Sequence, residues 1–272
     1  MLGGRYRVER LIGEGGMGAV YEAVQLDLGR RVALKVLLGA APADGAFRRF
    51  RQEAEAAARL GHAHIAQVTD FQHVPGEPPF LVMELLAGRS LRDVLVAEGR
   101  LEWRRSARIG MQLLDALGAA HAARVIHRDV KPENVFVVES RAVQDMIKVL
   151  DFGIAKLAEP ATPSGPLTAA GAAIGTPAYM APEQARGDDV DARADLYAVA
   201  VVLFEAAAGR RPIEVDPTMR LAAAIGAPPA RLEDFVRDVE PRFAAAIARA
   251  LAKDPRDRFA SAAEMASAIA TA

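Results

Sequence analysis

The chain has 272 residues, 51% of them hydrophobic and 25% charged, and a formal net charge of -1. This is the composition of a globular protein with a large core, and the balanced charge does not indicate a nucleic-acid-binding surface. The sequence has no cysteine, which excludes disulfides, thiolate metal sites and cysteine nucleophiles. The longest apolar run, Leu196 to Phe204, is too short to span a bilayer, so we expect no membrane segment in this chain.

The first feature along the chain is a glycine-rich stretch between two strands, which are predicted at residues 6–14 and 20–24. Its glycines are Gly13, Gly15, Gly16 and Gly18. Without a Cβ, such residues let backbone N–H groups approach phosphates closely. Taken alone, the stretch is better explained as a glycine-rich hairpin turn. A dinucleotide-binding fold is disfavoured, because there the glycines precede a helix.

A lone cation, Lys35, lies in the next predicted strand, residues 32–37. It is either a solvent-facing strand lysine or a phosphate ligand. A helix is predicted at about residues 45–60, and it offers Glu53 and Glu55 as partners for the lysine. Their spacing places the two glutamates on different faces of the helix, so only one of them can serve.

Two further strands, residues 65–71 and 80–84, are followed by two helices. The helix at residues 91–98 is predicted to begin at Ser90, with Asp93 completing a capping box. The helix at residues 102–123 is long and amphipathic. We interpret His121, near its end, as a capping or packing residue.

A polar loop at residues 127–134 lies between apolar runs, a pattern typical of a strand, a tight loop and another strand. It contains Asp129, Lys131 and Asn134, and Asp151 follows at the end of another apolar run. Two carboxylates and an amide at such transitions could hold a magnesium ion and orient a hydroxyl group.

The remaining chain is predicted to be mostly helical, with helices at residues 191–208, 241–252 and 261–271. The first of these is apolar all round, so the carboxylate of Asp195 within it must be buried and needs partners. Before it, the stretch from Asp151 to Glu183 shows little periodicity. A structureless stretch of this length is usually functional or mobile.

Together these motifs resemble the catalytic domain of a protein kinase over about residues 6–270. The motifs occur in the family's order: the glycine loop, Lys35, Glu53, His127-Arg128-Asp129, Asp151-Phe152-Gly153, Ala181-Pro182-Glu183 and Arg258. Lys131 and Gly175-Thr176 resemble serine/threonine kinases, and the glycine loop looks like that of the bacterial, eukaryotic-like (Hanks-type) branch. The resemblance implies an α+β, two-lobed fold. An antiparallel β-sheet lobe with one main helix would take up about residues 1–83, a hinge residues 84–88, and a larger, mainly helical lobe about residues 89–272.

The resemblance also implies an ATP-dependent kinase that phosphorylates Ser and Thr of proteins and uses magnesium, or manganese in its place. Asp129 would accept or orient the substrate hydroxyl proton, and Lys131 would contact the γ-phosphate. Asn134 and Asp151 would hold the metal, and Lys35, anchored by Glu53, would hold the α- and β-phosphates. The nucleotide contacts implied are the glycines of the loop, then Val20, Ala33 and Phe136 around the adenine, Met83 as gatekeeper, and the hinge residues Glu84 and Leu86. The structural pairs implied are Glu183 with Arg258, and Asp195 with backbone N–H groups of the loop at 127–134.

Two other classes stay open. A nucleotide-binding pseudokinase that works as a scaffold is disfavoured because Lys35, Asp129, Asn134 and Asp151 are all intact. A small-molecule phosphotransferase would lack Ala-Pro-Glu at residues 181–183. Relatives of this kind often carry a membrane anchor outside the kinase domain. We therefore expect a cytoplasmic protein, or the cytoplasmic domain of a longer, membrane-anchored one.

The sequence departs from the family where many relatives are phosphorylated, because the chain has Ala172 at that position. Thr168 is the first candidate for phosphorylation in its place, followed by Ser164 and Thr162. Thr176 is a poorer candidate, because its position suggests a contact with Asp129 and Lys131. The cation Arg128 precedes Asp129 and could pair with a phosphate. We therefore expect Thr168 to be autophosphorylated in trans.

Overall fold

The structure is a computed structural model that describes residues 1–15, 18–37, 50–51, 54–55, 57–140, 143–151, 177–214 and 226–270. Five strands of the N-terminal part form one antiparallel sheet with the order β1-β2-β3-β5-β4. The strands are β1 (Tyr6–Gly15), β2 (Gly18–Gln25), β3 (Arg30–Leu37), β4 (Val68–Gln72) and β5 (Phe80–Glu84).

The two faces of this sheet pack differently, because side chains alternate along a strand. One face buries Val32, Leu34 and Val36 of β3. Tyr6 and Phe80 lie on the same face, and their rings meet edge to face. The other face buries Leu37 against Phe50 and Ala54, which are helical. Lys35 shares this second face and is 9% exposed, so the solvent-facing interpretation of this lysine is wrong.

A second, three-stranded sheet lies beyond β5 and has the order β6-β7-β8. Its strands are β6 (Gly88–Ser90), β7 (Val135–Val138) and β8 (Ile147–Val149). At Gly88 a Cβ would lie 2.1 Å from the carbonyl oxygen of Val137, so only glycine fits this close approach. This sheet fixes the C-terminal end of the polar loop, since β7 begins directly after Asn134. The strand predicted before the loop, at Val125-Ile126, does not form.

The C-terminal part is helical. Its helices are α1 (Leu91–Glu98), α2 (Trp103–Ala122), α3 (Pro182–Arg186), α4 (Arg193–Ala208), α5 (Pro241–Ala250) and α6 (Ala262–Ala270). Thirteen of the sixteen residues of α4 are buried, as its apolar sequence predicts. At Gly110 of α2, a Cβ would lie 2.6 Å from the side chain of Leu203, so glycine allows the two helices to pack closely. Within the described residues, no helix has the length and apolar character needed to cross a membrane.

The predicted mixture of an antiparallel sheet followed by helices is confirmed, with small shifts at the ends of elements. The capping box of α1 is present: the backbone N–H of Asp93 donates to Ser90 Oγ at 3.1 Å, and the N–H of Ser90 donates to the Asp93 carboxylate at 3.2 Å. The helix expected from residue 191 begins at Arg193 instead, because the Asp191 side chain accepts the backbone N–H of Arg193 at 2.8 Å. The strand expected at 65–71 is confined to Val68–Gln72.

Candidate active site

The polar loop at residues 127–134 is held from inside by His127, which is fully buried. The backbone N–H of Asp129 donates to His127 Nδ1 at 3.2 Å, which makes Nδ1 the acceptor. His127 Nε2 then carries the proton and donates to the carbonyl oxygen of Leu150 at 2.9 Å. Burial lowers the pKa of His127, more than the nearby charges of Asp195 and others raise it. A neutral imidazole therefore joins the loop to the chain just before Asp151.

This arrangement predicts a pH dependence of stability. Below about pH 6.5, the ordinary pKa of histidine, His127 becomes protonated in the unfolded chain but stays neutral in the folded one. The folded state therefore becomes less stable as the pH falls. The free energy of unfolding should drop by up to about 1.4 kcal/mol per pH unit from this group alone. Urea unfolding at pH 5.0 to 7.5 measures the unfolding free energy as a function of pH. Its slope against pH should be smaller for His127→Gln than for wild type. The exposed His73 offers a matched control, because His73→Gln should keep the wild-type slope. Equal slopes in wild type and His127→Gln would contradict the assignment.

Asp195 of α4 holds the same loop from the other side. Its buried carboxylate accepts the backbone N–H groups of His127 and Arg128, both at 2.8 Å. It also lies 2.7 Å from Nε2 of His121. Arg128 has a positive φ of 63°, which is costly for a residue with a Cβ. The hydrogen bond from the Arg128 N–H to Asp195 offsets that cost. Sequence reasoning missed the role of His121, and no local signal in α2 indicates it.

Two polar side chains of the loop, those of Lys131 and Asn134, meet at the carboxylate of Asp129. Lys131 Nζ donates to Asp129 Oδ2 at 2.8 Å. The side-chain amide of Asn134 donates to the backbone carbonyl of Asp129 at 2.8 Å and reaches Oδ2 at 3.3 Å. The carboxylate is thus fixed in position by two donors, while its side chain stays 20% exposed. It can meet a solvent-borne hydroxyl group without rearrangement.

An ion pair joins β3 of the first sheet to the chain just after β8. Lys35 Nζ of β3 donates to Asp151 Oδ1 at 2.8 Å, and Asp151 has a positive φ of 48°. The Asp151 side chain is 42% exposed, against 11% for that of Lys35. Glu55 is exposed and pairs with Arg51 at 2.8 Å, which removes it as the partner of Lys35. Glu53 lies outside the described residues, as do Gly16, Phe152, Gly153, Thr168, Ala172 and Thr176.

The glycine-rich stretch forms the end of the β1–β2 hairpin. Gly13 pairs with Val20, and Gly15 with Gly18. A Cβ at Gly18 would lie 2.0 Å from the carbonyl oxygen of Val36, so no side chain fits at this position. Val20 also pairs with Lys35 on the neighbouring strand β3. The hairpin end therefore lies beside the lysine that reaches Asp151.

The other residues expected around the nucleotide lie in the two sheets and in the connection between them. Ala33 is paired with Met83 across β3 and β5, and Phe136 is in β7 of the small sheet. Glu84 ends β5, and its backbone N–H donates to the carbonyl of Gln67 at 3.0 Å. A contact between Glu84 and an adenine would therefore use the carbonyl oxygen of Glu84. Leu86 lies in the connection between β5 and β6.

The Glu84 side chain has a second function that the sequence did not indicate. Its Oε1 accepts from Lys148 Nζ of β8 and from the backbone N–H of Gln67, both at 2.7 Å. Lys148 also donates to the carbonyl oxygen of Ile65 at 3.3 Å. The end of β5 is therefore tied to the small sheet through side chains, which fixes the connection at residues 85–87.

Arg258 and Glu183 form a buried ion pair below the loop, with side-chain exposures of 0% and 4%. The contacts run in parallel, from Nη1 to Oε1 at 2.7 Å and from Nη2 to Oε2 at 2.8 Å. The remaining donors of Arg258 reach the carbonyl oxygens of Ala252 (2.8 Å), Arg193 (3.1 Å) and Lys253 (3.2 Å). All five N–H groups of the guanidinium are thus satisfied. The pair joins α3, which carries Glu183, to α4 and to the chain after α5.

The described residues contain no group of three or more His, Cys, Asp or Glu side chains that could hold a metal ion by itself. The Asp151 carboxylate and the Asn134 amide nevertheless offer oxygen ligands of the kind that magnesium prefers. Magnesium commonly takes one or two protein ligands and completes its shell with phosphate oxygens and water. The residues present therefore fit a magnesium ion that is bound together with a nucleotide.

Comparisons with known proteins show the family of the chain. The family model described as "Protein kinase domain" matches residues 6–268. Serine/threonine-protein kinase pkn3 of Myxococcus xanthus is 47% identical over 264 residues, which cover 95% of this chain and 48% of that protein. Serine/threonine-protein kinase PknA of Mycobacterium tuberculosis is 42% identical over 275 residues, which cover 99% of this chain and 61% of that protein. The chain thus spans about half to three fifths of the length of these curated relatives.

Solved structures give the same result. A crystal structure of the Mycobacterium tuberculosis PknI kinase domain matches with a TM-score of 0.76 and 32% identity, over 98% of this chain and 95% of that one. A second crystal structure of the same domain matches with a TM-score of 0.75 and 34% identity, over 98% and 94% of the two chains. The chain belongs to the protein kinase domain family, in the branch represented by these bacterial serine/threonine-protein kinases.

Proposed function

We propose that this chain is an active serine/threonine protein kinase domain that transfers the γ-phosphoryl group of ATP to Ser and Thr hydroxyls of proteins. The observation that carries the proposal is the fixed Asp129 carboxylate, held by Lys131 and Asn134 and still open to solvent. Phosphoryl transfer depends mainly on positioning and on electrostatic stabilisation, so a rigid acceptor for the hydroxyl proton is the central requirement. The bacterial relatives that carry the name serine/threonine-protein kinase support the same reaction class.

Each polar side chain then has a task. The substrate oxygen bonds to the γ-phosphorus as the bond from that phosphorus to the β-bridging oxygen breaks, and the hydroxyl proton passes to Asp129. Lys131 lies against the same carboxylate and would stabilise charge on the transferred group. Lys35 would bind the α- and β-phosphates, with Glu53 as its anchor. Magnesium, or manganese in its place, would be held by Asn134 and Asp151 and would neutralise charge on the phosphates.

The remaining nucleotide contacts are proposed from the resemblance to protein kinases. Val20, Ala33 and Phe136 would enclose the adenine, with Met83 beside them. The backbone of the 84–86 connection would hydrogen-bond its edge. ATP and magnesium are both supplied in the cytoplasm, so we place the domain there, alone or as part of a longer, membrane-anchored protein.

The direct test is incubation of the purified chain with labelled ATP, magnesium and a mixture of Ser- and Thr-containing peptides. We expect label on Ser or Thr and its loss when a chelator removes the metal. ATP binding without any transfer to protein or peptide would instead support a scaffold that lacks catalysis. Transfer to a small molecule alone would reject the protein kinase proposal.

We propose that regulation of the kinase activity depends on Arg128. Nε of this side chain is buried, and it has no hydrogen-bond partner within the described part of the chain. Burial lowers the pKa of Arg128, and the negative charge of Asp195 offsets this lowering only in part. A phosphate brings a charge of about -1.5 to -2 and several strong acceptors, so phosphorylation nearby would satisfy this cation.

We expect Thr168 to receive that phosphate from a second copy of the chain. Mass spectrometry should find it after incubation with ATP and magnesium. A tagged Asp129→Asn copy should become phosphorylated only when active enzyme is mixed in, because it cannot modify itself. Thr168→Ala should lower turnover. Ser140→Ala should not, because Ser140 lies outside the segment 156–176. Full activity of Thr168→Ala, or phosphate only outside residues 156–176, would reject the proposal.

A further inference from the structure

The side chain of Gln184 in α3 bonds to two backbone groups that lie far apart in the chain. Its Nε2 donates to the carbonyl oxygen of Arg128 at 3.1 Å, and its Oε1 accepts the backbone N–H of Ala181 at 3.1 Å. These partners fix the orientation of the amide, because a carbonyl oxygen can only accept and an N–H can only donate. One side chain therefore joins the first turn of α3 to the polar loop, one residue before Asp129.

The carbonyl oxygen that Gln184 holds belongs to the peptide group between Arg128 and Asp129. The N–H of the same peptide group donates to His127 Nδ1 at 3.2 Å. Because a peptide group is planar, the two contacts fix its rotation, and with it the direction in which the Asp129 side chain leaves the backbone. Neither contact involves the carboxylate itself, which other side chains of the loop hold separately.

The backbone of Arg128 needs such support. Its φ of 63° lies in the left-handed region, and a residue with a Cβ stays there only where its surroundings hold it. Asp195 of α4 accepts its N–H, and Gln184 of α3 donates to its carbonyl oxygen, so side chains from two helices hold the residue on both sides. The helix α3 is anchored in turn by the buried pair of Glu183 with Arg258. Gln184 therefore acts from a fixed support.

We infer that Gln184 is a positioning residue for Asp129, which acts by holding the peptide group between Arg128 and Asp129. The inference rests on the proposed kinase function. Without the donor, this peptide group would rotate more freely, and the Asp129 carboxylate would spend less time where it accepts the substrate proton. Nucleotide binding should change little, because the groups that Gln184 holds are not among the proposed nucleotide contacts.

The alternative is that Gln184 only caps α3. Glutamate and glutamine both serve at this third helical position, where the side chain accepts the N–H of the residue before the helix. Gln184→Glu therefore keeps the cap, but at neutral pH its carboxylate cannot donate to the carbonyl oxygen of Arg128. Gln184→Met has a similar length and removes both contacts. The two variants separate positioning from capping.

Turnover of a Thr peptide at saturating and limiting ATP measures the effect. For Gln184→Glu we expect kcat to fall about tenfold, the factor that the loss of one hydrogen bond typically produces, at the wild-type KM for ATP. Gln184→Met should lose at least as much turnover. If Gln184→Glu keeps the wild-type kcat and only Gln184→Met loses turnover, the side chain is a cap and the inference is overturned. Gln184→Glu alone decides if Gln184→Met does not fold.

A matched control and a double variant test the route of the effect. Gln144 is exposed in the turn before β8, so Gln144→Glu makes the same substitution and should keep the wild-type kcat. In Asp129→Asn/Gln184→Glu, the second substitution should cost at most about twofold, because Gln184 acts through a carboxylate that is already gone. A further tenfold loss in the double variant would show that Gln184 acts elsewhere and would overturn the inference.

Hydrogen–deuterium exchange of the polar loop gives a comparison without catalysis. The bond to His127 protects the Asp129 amide, and its exchange should be about tenfold faster in Gln184→Glu than in wild type. Gln144→Glu should exchange at the wild-type rate. If wild type phosphorylates no peptide, the proposed function fails, and the exchange rates still decide whether Gln184 holds the loop. Equal rates in Gln184→Glu and wild type would overturn the inference, even if turnover falls.

Discussion

Replacement of Asp129 by asparagine should lower turnover by roughly 10²–10⁴-fold, the span expected for a positioned acid–base group. The asparagine side chain has the shape of the aspartate and can still accept a hydrogen bond from Lys131, so the loop should keep its conformation. It cannot accept the proton of the substrate hydroxyl, which is the step that the carboxylate serves. Turnover of a Thr peptide measures the loss, while the melting temperature and binding of a nucleotide analogue should stay at the wild-type values.

A matched aspartate outside the cleft separates this effect from a general loss of charge. Asp27 is 52% exposed and pairs with Arg5 at 2.6 Å, far from the site. Asp27→Asn should therefore retain wild-type turnover. If Asp129→Asn also keeps wild-type turnover in a clean preparation, Asp129 is not the proton acceptor. A melting temperature well below that of wild type would instead assign a structural role to this carboxylate.

The parts of the fold that sequence predicts well are those whose signals are local. The capping box at Ser90 and Asp93 is encoded within four residues, and the structure forms it. The burial of α4 on all sides is also predicted from a local signal, because the apolar residues that indicate it all lie within the helix itself. Errors appear at element ends, where a side chain such as that of Asp191 competes for the first backbone N–H groups.

The candidate site is predicted less completely, because its contacts join residues that are far apart in the chain. Asp195 and His121 are 74 positions apart, and Gln184 and Arg128 are 56 apart. The sequence shows that the carboxylate of Asp195 needs partners, but nothing in α2 indicates that His121 is one of them. Gln184 likewise resembles any glutamine in a short helix. Its role depends on the carbonyl oxygen of Arg128, which only the folded chain brings beside α3.

The largest effect on stability is expected at Arg258. Arg258→Ala removes a guanidinium whose five N–H groups are all bonded, and it leaves the carboxylate of Glu183 buried without its cation. Removing one partner of a buried ion pair costs about 3–5 kcal/mol of unfolding free energy. Urea unfolding at pH 7 measures this loss. The unfolding free energy of Arg258→Lys should lie between those of wild type and Arg258→Ala, because a lysine keeps the charge but has three donors in place of five.

The neighbouring Arg256 provides a control that differs only in burial. Its side chain is 84% exposed and pairs with Asp254 at 2.6 Å, so solvent already screens the charge. Arg256→Ala should unfold close to the wild-type urea midpoint. The double variant Arg258→Met/Glu183→Leu should be more stable than Arg258→Ala, since neither charge is then buried alone. If Arg258→Ala unfolds at the wild-type midpoint, the pair does not join α3 to α4 in solution. The Arg258 guanidinium also lies over the ring of Tyr197, 5.0 Å from its centroid. If the double variant is no more stable than the single one, the loss arises from this packing rather than from the stranded carboxylate.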